Sequence, residues 1–180
     1  FWSYADATEV IAKRLSEELK GVDSRNIERI WNEIYRKFSF RSPALTSVIS
    51  AIDLALWDIK GKRLGVPVWD LLGGKYRDKV RAIVLLGGKY GPTRNADEFA
   101  IAAKKAKTDG YTALKMTPLP QNWSKLPYPE LIRKSTEIVG AVRESVGWDF
   151  DIGIEIHRNM IPGEAIVFAK NIEKFLPYFY

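Results

Sequence analysis

The second half of the sequence alternates short apolar runs with amphipathic segments, and this rhythm restricts the possible folds more than any other feature. The predicted strands cover residues 80–86, 111–116 and 150–156, and the predicted helices cover residues 95–108, 129–146 and 162–175. The strands lack a clean alternation of polar and apolar residues, and each is followed by a helix. This pattern predicts an α/β fold built from parallel βα units whose strands are buried on both faces.

The first half of the sequence predicts helices alone. We expect helices over residues 6–20, 24–37 and 43–64, followed by a short helical turn within residues 66–72. Asp6 and Glu9 have the spacing of a capping box, and Pro43 suits the first position of a helix. Gly21 and Gly65 suit the ends of the first and third helices. The change of rhythm places a boundary near residues 75–79, so we expect domains over residues 1–76 and 77–180.

Composition excludes several classes of site and function. The 180 residues include no cysteine, which excludes disulfides, thiolate metal sites and a cysteine nucleophile. The formal net charge is +6, but lysine and arginine are interspersed with acidic residues, so we expect no nucleic-acid binding. No apolar run reaches the roughly 18 residues of a membrane span, and the first residues lack a signal-peptide pattern. We therefore expect no membrane association and a cytoplasmic location.

Two adjacent stretches carry a family resemblance. Residues 50–62 read SAIDLALWDIKGK, and residues 64–74 read LGVPVWDLLGG. Together they resemble the signature of the mandelate racemase and muconate lactonizing group of the enolase superfamily. The resemblance implies that residues 1–76 are the helical part of a capping domain. It also implies that residues 77–180 are the first three βα units of a TIM-like (β/α) barrel.

The third predicted strand ends with a carboxylate and the only histidine of the chain. Because alternate side chains of a strand share a face, Glu155 and His157 are expected to project together. Such a pair can place a metal ligand beside a proton donor. Residues 150–158 are most similar to the gluconate and galactonate dehydratases of the superfamily. That resemblance implies that Glu155 is a magnesium ligand, where aspartate is commoner, and that His157 is the acid that protonates the departing hydroxyl group.

The end of the second predicted strand supplies further candidates. Lys115 resembles the first lysine of the family's Lys-x-Lys element, and the resemblance implies that it acts in catalysis and binds the substrate carboxylate. Thr117 stands where racemases and cycloisomerases carry a second lysine as a base, which argues against racemization on this face. We expect Thr117 and Arg158 to contact the substrate as well.

The resemblance therefore implies a carbon–oxygen lyase, a Mg²⁺-dependent sugar-acid dehydratase that forms a 2-keto-3-deoxy sugar acid. A racemase or cycloisomerase of the same superfamily and a non-catalytic scaffold are the alternatives. One Mg²⁺ is expected, with its remaining ligands outside these residues. A barrel closes with eight strands over about 250 residues, so we expect this chain to be a truncated and inactive segment of a longer enzyme. We expect the full-length enzyme to be a homo-oligomer that binds a small sugar acid.

Overall fold

The structure, a computed structural model, describes residues 5–180. The chain divides into two compact units, with the division between Asp78 and Lys79. Within residues 5–180, no helix combines the length and the apolar character that a membrane span needs.

The first unit consists of helices, as the sequence predicts. They are α1 (Ala5–Glu18), α2 (Ile27–Lys37), α3 (Pro43–Leu64) and the short α4 (Val68–Leu71). Ser42 caps α3 by accepting a hydrogen bond from the Leu45 N–H, and Gly65 ends the helix in the left-handed region at φ 72°. Each of the three longer helices contributes one apolar face to the core of this unit. The buried core residues include Leu15, Ile30 and Val48.

Two predicted helix starts are wrong. Helix α1 already begins at Ala5, so Asp6 lies in its first turn and is not the capping residue. An acidic residue in that position still interacts favourably with the helix dipole. Helix α2 begins at Ile27, because Asp23 organises a turn before it: its carboxylate accepts the Arg25 N–H, and its carbonyl accepts the Asn26 N–H.

The second unit contains a parallel sheet with the strand order β1-β2-β3. The strands are β1 (Val84–Leu85), β2 (Ala113–Met116) and β3 (Asp151–Ile154), and the helices are α5 (Ala96–Thr108), α6 (Tyr128–Val146) and α7 (Pro162–Ile172). Short 3-10 helices cover residues 88–90, 123–125 and 173–175. One face of the sheet packs against the helices through fully buried side chains such as Leu114 and Ile152. The predicted order of parallel βα units is confirmed.

The strands are shorter than predicted, and β1 most of all. Instead of residues 80–86, only Val84 and Leu85 pair with β2. The Arg81 side chain reaches across to Thr112, donating to its carbonyl at 2.7 Å and to its hydroxyl at 2.8 Å. That carbonyl also accepts the N–H of Asp151. The Arg81 side chain therefore bonds to the start of β2 at a position where main-chain pairing with β1 was expected.

A further strand position follows β3 in the sheet. Phe179 forms an isolated parallel bridge with Gly153. The Ile154 N–H donates to the Phe179 carbonyl at 2.9 Å, and the Tyr178 N–H donates to the Ile152 carbonyl at 2.8 Å. Residues 178–179 thus continue the parallel order beyond β3, where the barrel interpretation expects a fourth strand.

Candidate active site

Lys115 and Glu155 meet at the carboxyl edge of the sheet. Lys115 lies in β2 opposite Gly153 of β3, and Glu155 follows β3 by one residue. The Lys115 Nζ lies 3.7 Å from the Glu155 Oε2, and about 40% of each side chain is exposed. An ion pair this exposed contributes little to folding stability. Its placement matters instead because active sites of parallel βα barrels lie at this edge.

Glu155 is held by its main chain and by its side chain. Its N–H donates to the Met116 carbonyl at 2.9 Å, which ties it to the end of β2. Its Oε1 accepts the His157 N–H, also at 2.9 Å. This hydrogen bond and the charge of Lys115 lower the pKa of the Glu155 carboxyl, while partial desolvation opposes them. The carboxylate is therefore ionised near neutral pH, the form in which it binds a cation.

A tight turn, not a strand, presents His157. The strand ends at Ile154, and both His157 (φ 48°) and Arg158 (φ 60°) have left-handed backbones. The Asn159 N–H donates to the Ile156 carbonyl at 2.9 Å, which closes the turn. Positive φ at both central residues is the pattern of a type I′ turn. The prediction that strand alternation aligns Glu155 with His157 is therefore wrong, because the backbone is no longer extended at His157.

The structure places the other two candidates at the same edge but does not join them to the Lys115–Glu155 pair. Thr117 is half-buried just past β2, two residues after Lys115. Arg158 is exposed in the turn, and its guanidinium forms no ion pair or hydrogen bond within residues 5–180. Their expected contacts with substrate stay predictions.

A cavity of about 610 Å³ lies away from these residues, between the start of α5 and α6. Its two cationic side chains are already paired: Arg94 lies 2.8 Å from Glu98, and Lys134 lies 2.8 Å from Glu130. Because its lining contains no imidazole and includes neither Lys115 nor Glu155, this cavity is a weaker candidate than the carboxyl edge of the sheet.

Comparison with known proteins identifies the family. Residues 4–73 match the N-terminal domain of mandelate racemase and muconate lactonizing enzymes. The chain belongs to the mandelate racemase and muconate lactonizing group of the enolase superfamily. A D-gluconate dehydratase from Thermoproteus tenax is 42% identical over 161 residues, which are 88% of this chain and 32% of that protein. A D-galactonate dehydratase from Pectobacterium atrosepticum is 33% identical over 176 residues, 97% of this chain and 44% of that protein.

The fold agrees with this membership of the mandelate racemase group. The crystal structure of an enolase superfamily member from Salmonella typhimurium matches with a TM-score of 0.88 at 31% identity, covering 97% of this chain and 50% of that one. The chain thus spans about a third to a half of the length of these relatives. The helices α1–α4 belong to the capping domain, and the parallel strands follow it.

One residue of this mandelate racemase group member is a candidate metal ligand. Within residues 5–180, no three acidic or histidine side chains cluster closely enough to hold an ion by themselves. Glu155 offers an ionised carboxylate at the expected edge. Mg²⁺ prefers oxygen ligands and is often held by one or two protein carboxylates together with substrate and water. Glu155 therefore fits the role of one ligand of a magnesium site.

The turn at residues 156–159 is the feature of the site that sequence reasoning missed. Type I′ turns favour Asn-Gly and related pairs at their centre, whereas this turn has His157 and Arg158. Local sequence preference therefore carried no signal for it. The nearest clue is Glu155 itself, whose side chain is long enough to accept the N–H two residues later.

Proposed function

We propose that the full-length protein is a Mg²⁺-dependent sugar-acid dehydratase acting on gluconate-type or galactonate-type substrates. The observation that carries this proposal is the approach of the Lys115 ammonium to the Glu155 carboxylate at the carboxyl edge of two neighbouring strands, with His157 in the turn that follows. Relatives named as gluconate and galactonate dehydratases support the substrate class.

The proposed chemistry begins when a base of the full-length protein takes the weakly acidic α-proton of the sugar acid. The resulting enediolate concentrates negative charge on the former carboxylate oxygens. We assign to Lys115 the donation of hydrogen bonds to these oxygens where the charge develops. Glu155 would hold a magnesium ion beside them, and a bound Mg²⁺ would supply further positive charge.

Loss of the β-hydroxyl group then requires a proton, because hydroxide is a poor leaving group. Imidazole is the side chain most often used for proton transfer in enzymes, and we assign this step to His157. The product is an enol that tautomerises to the 2-keto-3-deoxy acid. Thr117 has no basic group, so this strand end does not provide the second base that a racemase needs.

The decisive experiment uses the full-length protein and a panel of sugar acids. We expect 2-keto-3-deoxy acid to form from gluconate or galactonate, to stop with EDTA and to resume with Mg²⁺. Absence of product from every acid in the panel contradicts the proposal. Isomerised substrate without keto acid favours the racemase or cycloisomerase, and a protein without any turnover favours the scaffold.

Glu155→Gln tests the metal ligand, because it keeps the shape of the side chain and removes its charge. We expect weaker Mg²⁺ binding and a large loss of turnover. Glu144→Gln is the matched control, since Glu144 is an exposed glutamate of α6 without a partner within residues 5–180. Unchanged Mg²⁺ affinity and turnover in the Glu155 variant show that the assignment is wrong.

His157→Asn tests the proton donor. General acid catalysis commonly contributes about 10²–10⁴-fold, so dehydration is expected to fall by a factor in that range. Exchange of the α-proton with solvent deuterium should persist, since it precedes the step assigned to His157. A substrate analogue with fluoride at C3 should lose less rate, because fluoride leaves without protonation. Equal loss of exchange and dehydration, with no recovery on the fluoride analogue, rules out this role.

A further inference from the structure

Lys115 belongs to a row of residues on the face of the sheet opposite the helices. The register pairs Leu85 with Lys115 and Lys115 with Gly153. Paired residues of adjacent parallel strands point to the same face, whereas their chain neighbours point to the other. Those neighbours, Leu114 and Ile152, are fully buried against the helices. Lys115 and Gly153 therefore share the face on which the candidate site lies.

The ring of Phe179 occupies the space where a side chain of residue 153 would project. A Cβ atom added to Gly153 would lie 2.6 Å from the Phe179 Cε1 and 3.0 Å from its Cε2, and it would overlap the ring tip. Gly153 does not have a positive φ, so its backbone conformation does not itself demand glycine. The requirement for glycine is one of space.

The main chain holds the ring in this place. The Phe179 carbonyl accepts the Ile154 N–H, and the preceding residue, Tyr178, donates its N–H to the Ile152 carbonyl. These bonds fix residues 178–179 along the edge of β3. Gly153 therefore stands in one row between Lys115 on one side and Phe179 on the other, with the ring leaning across the glycine.

We infer that Phe179 is a positioning residue for Lys115, an inference that rests on the proposed function of the site. The Lys115 side chain is long and flexible, and the bare glycine beside it leaves a gap into which it could fold. The Phe179 ring fills that gap. With the gap closed, the ammonium group stays on the Glu155 side, where it lies 3.7 Å from the carboxylate. A lysine that binds a substrate carboxylate needs this pre-orientation.

Phe179→Ala in the full-length protein tests the inference. We expect KM for the sugar acid to rise and kcat/KM to fall by up to about 10²-fold, the cost of a small misplacement of a reacting or binding group. Mg²⁺ affinity should change little, because Glu155 keeps its main-chain anchors. A crystal structure of the variant should show the Lys115 Nζ withdrawn from Glu155.

Phe175→Ala is the matched control. Phe175 also covers a glycine, since its Cζ lies 3.0 Å from a Cβ built on Gly140 of α6. That contact lies among the helices and not at the carboxyl edge of the sheet. Phe175→Ala should therefore lower the melting temperature without raising KM. The inference is wrong if the two alanine variants lose the same stability while KM and the Lys115–Glu155 distance stay unchanged. Phe179 would then contribute to packing alone.

A compensating pair of variants covers the case in which one substitution disturbs folding. Gly153→Ala alone should displace the ring and impair substrate binding, whereas Gly153→Ala combined with Phe179→Leu should recover much of the loss. Absence of recovery argues against the spatial coupling. If the wild-type protein dehydrates no sugar acid, the proposed function fails, but the position of Lys115 in crystals of the Phe179→Ala variant still decides the inference.

Discussion

Replacing Arg158 with glycine tests the turn that presents His157. Arg158 has φ 60° in a turn closed by the hydrogen bond between the Asn159 N–H and the Ile156 carbonyl. The left-handed conformation costs a residue with a Cβ atom about 1–2 kcal/mol. Glycine avoids that cost but loses about 0.5–1 kcal/mol through the greater freedom of the unfolded chain. The net expectation is a stabilisation of about 0.5–1 kcal/mol.

Asn159→Gly is the control for the unfolded-state contribution. Asn159 lies next to Arg158 but does not have a positive φ, so glycine there brings only the entropic loss of about 0.5–1 kcal/mol. The two variants should therefore differ by about 1–2 kcal/mol in the free energy of unfolding. Urea denaturation of the full-length proteins measures this difference. If both glycine variants are destabilised equally, the turn does not have the conformation described.

One further position in each compact unit tests the packing described. Arg143 is buried and donates to the Phe150 carbonyl and to three other main-chain carbonyls. Arg143→Met leaves buried carbonyls without a donor and should lower the free energy of unfolding by at least about 1–3 kcal/mol, with Arg143→Lys losing less. In the first unit, a Cβ on Gly61 would lie 2.8 Å from the Val66 carbonyl oxygen, so Gly61→Ala should cost about 1–3 kcal/mol. Gly163→Ala, where a Cβ meets nothing within 4 Å, should be near neutral; equal losses at both glycines contradict the packing described.

Sequence reasoning succeeded where the signals are local. The bounds of α3 agree with prediction at both ends, because a serine cap with Pro43 at the start and Gly65 at the end are chemical signals within a few residues. It failed at β1, where the apolar run predicts a longer strand. The Arg81 side chain binds Thr112, which is 31 residues later in the chain, and no local sequence pattern predicts that contact.

At the candidate site, too, local sequence signals predicted which residues take part, whereas their geometry depends on contacts between distant parts of the chain. Glu155 was identified from its place at the end of a predicted strand, and Lys115 from its resemblance to a family lysine at the end of the preceding strand. Parallel strands with intervening helices end at one edge, so both were expected there. Their 3.7 Å separation depends on the register of β2 against β3, which is a property of the assembled sheet. The orientation of His157 depends on a turn that its own residue types disfavour.

The sequence by itself determined the order of elements, the family and the residues available for chemistry, because these follow from periodicity and local motifs. Tertiary structure alone decided that the Glu155 carboxylate accepts the His157 N–H and that the Phe179 ring fills the space over Gly153. The physical reason is that both depend on which atoms the folded main chain brings within contact distance.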